Sequence, residues 1–131
     1  MRGNCVIVRT LDEVKSSGGY GEKVGVWSSA RYLLRSDDVG FTLTRTSLAA
    51  GQCLTLEYKN HIEANLVIQG DIELTDLATD QSYRLGPGAM YALDKHDRHR
   101  VQALTEVELV CVFTPALKGD ETHDKDGSYP A

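Results

Sequence analysis

Two stretches of sequence decide the fold, residues 51–70 (GQCLTLEYKNHIEANLVIQG) and residues 88–99 (GAMYALDKHDRH). Both contain short segments of β-forming residues bounded by glycine, which is typical of strands joined by tight turns. In the first, His61, Glu63 and Asn65 alternate with apolar residues, so one side of this strand is polar and the other apolar. A polar side can face water or line the inside of a barrel, and the alternation alone leaves both interpretations open.

The spacing within these stretches resembles the two signature motifs of the cupin superfamily, Gly-x5-His-x-His-x3-Glu-x6-Gly and Gly-x5-Pro-x-Gly-x2-His. In that family the His and Glu positions face into a small barrel and hold one metal ion. The corresponding residues here are Gly51, Glu57, Lys59, Glu63 and Gly70, then Gly88, Asp94, His96 and His99. Glu63 and His99 keep ligand positions, whereas Glu57 and Lys59 replace both histidines of the first motif. The resemblance therefore favours a barrel interior for the polar side and implies a metal site with an altered ligand set.

The remaining sequence predicts an all-β sandwich or barrel as a single domain over residues 1–131. The motif resemblance implies that this barrel is a cupin double-stranded β-helix, which is jelly-roll-like. Predicted strands are Cys5–Val8, Val26–Leu34, Phe41–Ser47, Leu54–Tyr58, Ala64–Gln69, Ile72–Leu77, Ser82–Leu85, Ala89–Leu93, Arg100–Leu104 and Val107–Thr114. Thr10 and Glu13 form a capping-box pattern that opens one or two turns of helix. Ser16–Gly21 is predicted to be a loop. Residues 118–131 read as a solvated tail from composition alone.

Composition excludes several classes of function. The 131 residues are 41% hydrophobic and 25% charged with a net charge of −5, so neither nucleic acid nor an anionic membrane is an expected partner. Three widely spaced cysteines argue against a disulfide framework, and no signal peptide is recognisable at the start. We therefore expect a protein of the cytoplasm that acts on a small molecule.

Several longer stretches resemble the ectoine synthase family. They are WSSAR at residues 27–31, NHIEA at 60–64, MYALDKHDRH at 90–99, VCVFTP at 110–115 and GDETHDKDGSYP at 119–130. The resemblance covers residues 6–130. It implies a homodimeric cupin of the cytoplasm that uses iron(II) to close N-γ-acetyl-L-2,4-diaminobutyrate into the cyclic amidine ectoine, with loss of water.

The resemblance also implies roles for individual residues. Glu63, Tyr91 and His99 match the metal ligands. Residues that match positions around the substrate, or that close over it, are Trp27, Ser29, Thr46, Tyr58, Cys111, Phe113, Glu121 and His123. Of these, Tyr58, Glu121 and His123 are candidates for proton transfer and closure, and residues 118–131 become a closing segment. One imidazole nitrogen and two oxygen ligands also suit Mn(II), Co(II) or Zn(II).

Alternative interpretations accompany these assignments. An inward Tyr91 is more often a packed ring than a ligand, and Cys111 has the alternation of a small core residue. His96 belongs to a predicted turn, where it is expected to face solvent. Glu57 and Lys59 are alternatively expected to pair with each other or with solvent and to have no functional role. Departures from the family pattern at Glu57, Asn65-Leu66 and Ile72 leave two other functions open: a cupin lyase or isomerase for another small acid, or a non-catalytic solute-binding cupin.

Overall fold

The computed structural model describes residues 6–131, which form one short α-helix, one 3₁₀ turn and ten β-strands. The elements are α1 (Leu11–Ser16), β1 (Tyr20–Lys23), β2 (Trp27–Leu33), the 3₁₀ turn (Arg35–Asp37), β3 (Thr42–Leu48), β4 (Cys53–Leu56), β5 (Ile62–Gln69), β6 (Ile72–Asp76), β7 (Gln81–Leu85), β8 (Met90–Leu93), β9 (His99–Ala103) and β10 (Val107–Thr114). The predicted all-β class is confirmed.

The strands form two antiparallel sheets. A six-stranded sheet has the order β1-β2-β3-β10-β5-β8, and a four-stranded sheet has the order β4-β9-β6-β7. Alternate side chains of both sheets point toward each other and form one apolar core, which includes Val67 and Leu109 from the first sheet and Val101 from the second. Residues placed on inner strands of the two sheets are thereby brought face to face.

Strand β5 has its polar side inward. His61, just before β5, and Glu63 and Asn65 within it are at most 6% exposed, whereas Ile62 and Leu66 on the other side are 41% and 42% exposed. This arrangement is the reverse of a strand at the surface of a soluble protein, where the apolar side is buried. The barrel-interior interpretation of this strand is therefore confirmed.

The amino-terminal region differs from the prediction in two places. The predicted loop Ser16–Gly21 is wrong at both ends, because α1 includes Ser16 and β1 begins at Tyr20. Gly19 accepts a hydrogen bond from the Arg31 amide, and a Cβ at Gly19 would lie only 2.9 Å from the Arg31 carbonyl oxygen. Glycine at this position therefore allows the chain to pair closely with β2. Of the predicted strand Cys5–Val8, Cys5 lies outside the described residues and residues 6–8 are not in a strand.

Helix α1 begins as predicted. The Thr10 hydroxyl accepts a hydrogen bond from the Glu13 amide, and the Glu13 carboxylate accepts one from the Thr10 amide. These two bonds satisfy amide donors that the first turn of a helix otherwise leaves free. Within residues 6–131, no helix is long and apolar enough to cross a membrane.

The glycine that ends the first motif is needed for steric reasons as well as for its backbone conformation. Gly70 has a φ of +81°, and a Cβ added there would lie 2.1 Å from the carbonyl oxygen of Glu106. Gly88, which opens the second motif, has a similar φ of +92° but no atom within 4 Å of such a Cβ. Comparing substitutions at Gly70 and Gly88 therefore separates the effect of a backbone clash from the ordinary cost of a positive φ.

We expect Gly70→Ala to lower the free energy of unfolding by about 2 kcal/mol more than Gly88→Ala does, since only the first change also displaces a neighbouring strand end. Urea denaturation of both variants measures this difference. Equal losses of stability in the two variants would show that the close approach of Glu106 is unimportant.

Candidate functional site

A cavity of about 330 Å³ opens between the two sheets. The six-stranded sheet contributes most of its wall, including Glu63, Asn65 and Tyr91, and the four-stranded sheet contributes Val101. A third part of the wall comes from residues near the carboxyl terminus, among them Glu121 and His123. Two sheets and the last part of the chain therefore enclose a space of the size that small-molecule ligands occupy.

Glu63 and Tyr91 lie on adjacent strands at the floor of this cavity. Glu63 is opposite Leu93 and Asn65 is opposite Tyr91, so the two side chains are diagonal neighbours on the same side of the sheet. Burial raises the pKa of Glu63 to about 8 and raises the pKa of Tyr91 well above its usual value. A nearby cation would counteract both effects, because it stabilises carboxylate and phenolate.

His99 approaches from the opposite sheet as the first residue of β9. Its Nδ1 lies 3.0 Å from the carbonyl oxygen of Asp97, so Nδ1 carries the proton and donates it. Its Nε2 is buried and has no hydrogen-bond partner. The His99 and Tyr91 ring centroids are 6.4 Å apart, and burial lowers the pKa of His99, which keeps the imidazole neutral. Nε2 therefore keeps a free lone pair in the protein interior.

These three side chains fit a divalent metal. A buried lone pair without a partner is costly unless a ligand satisfies it, and an imidazole oriented by a second hydrogen bond is the usual form of a histidine ligand. Among residues 6–131, no three side chains of His, Cys, Asp or Glu come together in a metal-sized group. A third protein ligand at this position would therefore be of another residue type, and Tyr91, beside Glu63 on β8, is the candidate that the resemblance implies.

The residues expected around the substrate line the same cavity. Trp27, Ser29, Thr46, Cys111 and Phe113 all contribute to its wall. The Ser29 and Thr46 hydroxyls lie 3.4 Å apart across β2 and β3, and Trp27 is 38% exposed at the rim. Burial raises the pKa of Cys111 to about 12, so its thiol stays protonated. Cys111 is thus both a buried core residue and part of the wall.

Tyr58 and His123 form a hydrogen-bonded pair at the cavity. The Tyr58 hydroxyl lies 2.8 Å from Nε2 of His123, and the His123 ring stacks on Tyr129 with a centroid distance of 4.4 Å. Burial raises the pKa of Tyr58 well above its usual value and lowers the pKa of His123. A protonated phenol and a neutral imidazole therefore share this hydrogen bond at neutral pH, and the tautomer of His123 decides which of them donates.

Glu121 holds an ionised carboxylate beside this pair. Burial alone would raise its pKa, but hydrogen bonds from the amides of Lys118 and Gly119, at 2.7 Å and 2.8 Å, make the net shift a lowering. The carboxylate therefore stays charged at neutral pH and is suited to binding an ammonium group.

Arg31 was not among the predicted site residues. Among the described residues that line the cavity, it is the one Lys or Arg side chain, and it donates to the carbonyl oxygen of Gly119 at 3.0 Å. Its signal was present in the sequence, because Trp27, Ser29 and Arg31 alternate on one side of β2. An arginine at a small cavity is suited to binding a carboxylate.

The carboxyl-terminal segment is tied to the β4–β5 connection. Lys59 contributes twice: its amide donates to the Ser128 hydroxyl at 2.9 Å, and its ammonium group pairs with Asp126 at 2.7 Å. Gly127 packs so closely on β4 that a Cβ there would lie 2.5 Å from the Thr55 carbonyl oxygen. The alternative in which Lys59 pairs with Glu57 is therefore wrong, and so is the interpretation of this segment as a solvated tail.

His96 is exposed in the turn after β8, as predicted, with a φ of +58° and its Nδ1 2.7 Å from the Tyr58 carbonyl oxygen. It does not line the cavity. Of the predicted site residues, ten line the cavity directly, whereas His99 lines a second cavity of about 300 Å³, which Tyr91 also lines.

Comparison with known proteins agrees with this geometry. A family model described as ectoine synthase matches residues 6–131. The chain is 45% identical over 126 residues to the L-ectoine synthase of Sphingopyxis alaskensis, covering 96% of this chain and 91% of that protein. It is 42% identical to the L-ectoine synthase of Oceanobacillus iheyensis, covering 95% and 97%.

Solved structures give the same result. A crystal structure of ectoine synthase from P. lautus is similar with a TM-score of 0.83 and 38% identity, covering 93% of this chain and 87% of that chain. An RmlC-like cupin from Shewanella frigidimarina is similar with a TM-score of 0.63 at 15% identity, covering 74% and 83%. The predicted cupin architecture is confirmed.

Proposed function

The chain belongs to the ectoine synthase family, and from that membership we propose that its cavity closes N-γ-acetyl-L-2,4-diaminobutyrate to ectoine with loss of water. The reaction class is that of a carbon–oxygen hydro-lyase. The observation that carries the proposal is the placement of Glu63 and Tyr91 at the cavity, while the buried, unpartnered Nε2 of His99 belongs to the facing sheet, where His99 and Tyr91 line a second cavity. A binding protein for a finished solute has no need of such a group.

Glu63, Tyr91 and His99 are proposed to hold iron(II), for which one nitrogen and two oxygens form an acceptable set. A divalent metal held there supplies Lewis-acid polarisation of the acyl oxygen, which an unactivated amide lacks. The chain's part is to keep the three ligands dry and fixed, as the burial of Glu63 and His99 indicates.

Charge orients the substrate along the cavity. Arg31 is proposed to bind the substrate carboxylate, and Glu121 to bind the α-ammonium group before it loses its proton. The acyl end then extends toward Glu63 and Tyr91 on the distant strands of the same sheet. Trp27 and Phe113 provide flat apolar walls that favour the folded conformer, in which the amine and the acyl carbon belong to one molecule and meet at little entropic cost.

Protons are proposed to move through the Tyr58–His123 pair. As the amine nitrogen bonds to the acyl carbon, two nitrogen-bound protons must leave with the acyl oxygen as water. Neutral His123 accepts the two protons one after the other, and each passes through the Tyr58 hydroxyl, 2.8 Å from its Nε2, to the departing oxygen, which leaves as water. The segment 118–131, anchored through Lys59, excludes bulk water from the amidine.

The assembly and compartment are also proposals. Ile62, Leu66, Ile68 and Met90 are 39% to 63% exposed on the outer side of β5 and β8, which supports a homodimer through these strands. Cys53 and Cys111 are free thiols, which supports a reducing compartment such as the cytoplasm.

Turnover tests the proposed function directly. Metal-free protein incubated with N-γ-acetyl-L-2,4-diaminobutyrate is expected to form ectoine only after iron(II) is added, and product is followed by proton NMR. Absence of ectoine with iron(II), manganese(II), cobalt(II) and zinc(II) alike would contradict the proposal. Metal-dependent turnover of a different amino acid in the same assay would favour the other lyase or isomerase.

A further inference from the structure

One buried amide group in the cavity has hydrogen-bonding capacity that the protein does not use. Asn65 is 2% exposed and lines the cavity, and its Nδ2 makes no hydrogen bond of normal geometry, although the amide lies near enough to Glu63 to lower the pKa of that carboxyl. It lies in β5 between Tyr91 of β8 and Cys111 of β10, which are its cross-strand partners. Glu63 is two residues away on the same side of the strand.

Leaving such a donor unsatisfied costs about 1–3 kcal/mol. A leucine of similar size would avoid this cost in a core position. Buried polar groups that lack a protein partner and face a cavity are typical of sites where a ligand supplies the missing acceptor. The Asn65 amide is therefore a candidate for direct contact with the substrate.

The neighbours of Asn65 indicate which part of the substrate lies there. A substrate carboxylate next to Glu63 would place two carboxylates together, which is unfavourable. Arg31, which would attract that carboxylate, belongs to β2, three strands from β5 in the sheet order. The acceptor near Asn65 is therefore an uncharged oxygen at the opposite end of the substrate from its carboxylate.

We propose that the Asn65 Nδ2 donates a hydrogen bond to the acyl oxygen of the N-γ-acyl substrate. This inference rests on the proposed function, because it assumes a substrate whose acyl end lies at Glu63 and Tyr91. The bond grows stronger as negative charge develops on that oxygen, so Asn65 contributes to catalysis and specificity in this chain, at a position where the chain departs from the family pattern.

A consequence follows for product release. The acyl oxygen leaves as water, so ectoine retains the carboxylate and the ring nitrogens but has no oxygen for Asn65 to bind. The amide then faces a ring whose nitrogens offer it no comparable acceptor. Asn65 therefore favours binding of the substrate over binding of the product, because the acyl oxygen that it contacts is the heavy atom that the reaction removes.

Two inert ligands test this contact in the iron-loaded protein. The first is 4-acetamidobutanoate, which has the acyl oxygen and the carboxylate but no α-amine and so cannot cyclise. The second is ectoine, which lacks the acyl oxygen. Dissociation constants are measured by calorimetry for the wild type, Asn65→Leu and Asn65→Asp.

We expect both variants to bind 4-acetamidobutanoate roughly tenfold more weakly and ectoine with less than a twofold change, because one hydrogen bond is lost to the first ligand alone. The iron affinity of Asn65→Leu should stay within about threefold of the wild type, and this variant should melt at or above the temperature of the wild type, since it removes an unsatisfied donor. A purely structural role would lower that melting temperature.

Three outcomes would overturn the inference. Equal weakening of both ligands would assign the contact to the shared carboxylate. Loss of iron affinity with unchanged ligand binding would show that Asn65 acts through Glu63. No change in any constant would show that the donor is unused. If the wild type makes ectoine and both variants bind the two ligands normally, only this inference is refuted. If the wild type binds neither ligand and makes no ectoine, the proposed function is refuted as well.

Discussion

Glu63→Gln is expected to lower iron-dependent turnover by about 10³ or more, because it replaces a charged ligand with a neutral amide of the same shape. A loss of 10³ corresponds to about 4 kcal/mol of transition-state stabilisation, which is within the range that a metal ion contributes. Steady-state kinetics at saturating iron(II) measure it. The shift in melting temperature that iron produces in the wild type should also disappear in the variant.

The pH dependence of the same variant identifies the cause. Burial raises the pKa of Glu63 to about 8 in the metal-free fold. The stability that this group contributes is therefore fully present below its ordinary pKa near 4.5 and is lost as the pH rises through about 8. Metal-free Glu63→Gln should then be more stable than metal-free wild type at pH 8, and the two should converge toward pH 5. Iron should stabilise the wild type more at pH 8 than at pH 5.5, since it replaces a proton.

Glu57→Gln is the matched control. Glu57 occupies the position of a histidine in the cupin motif, but it does not line the cavity. We expect turnover within about twofold of the wild type. Full activity in Glu63→Gln, or a collapse of activity in Glu57→Gln, would show that the carboxylate at the site has been misassigned.

The strand pattern and the inward positions of Glu63 and His99, the proposed metal ligands, were accessible from sequence because both depend on fixed spacing. The nine strands β2–β10 and the capping box at Thr10 follow local periodicity, and the strand ends are within about two residues of the prediction. Glu63 and His99 were found because a barrel imposes constant intervals on residues that must meet at one point. The inward polar side of β5 depended on that same frame, since alternation alone does not say which side is buried.

Contacts between distant segments were not accessible in this way. The Tyr58–His123 hydrogen bond joins residues 65 apart, and no periodicity links them. The packing of residues 118–131 against the barrel likewise depends on Lys59 and on the close contact of Gly127 with β4, whereas composition alone indicated a solvated tail. Such pairings are decided by tertiary packing and leave no signal in a local window.

His61 shows a further limit of sequence reasoning. It was assigned to the polar side of β5 and is indeed inward, but it does not line the cavity. Its ring lies edge-on to Phe113 and Tyr129, with centroid distances of 6.3 Å, and neither ring nitrogen has a hydrogen-bond partner. Burial lowers its pKa, so it packs as a neutral ring. Facing inward and facing the ligand are thus separate properties.

Tyr91→Phe is expected to reduce turnover by about 10² and to weaken iron binding, because it removes a ligand oxygen while keeping the ring that packs in the core. Burial and the charge of Glu63 both raise the pKa of Tyr91, so a phenolate at neutral pH requires a cation beside it. Iron binding should therefore release a proton from the wild type that the variant does not release. After oxidation to iron(III), the wild type should show the visible absorption of a phenolate–iron charge transfer, which the variant should lack.

Tyr83→Phe is the matched control for this prediction. Tyr83 is an exposed tyrosine on β7, so its substitution should leave turnover and colour unchanged. A colourless wild type, or a Tyr91→Phe variant with wild-type iron affinity and turnover, would reduce the protein ligands to Glu63 and His99 and return Tyr91 to the role of a packed ring.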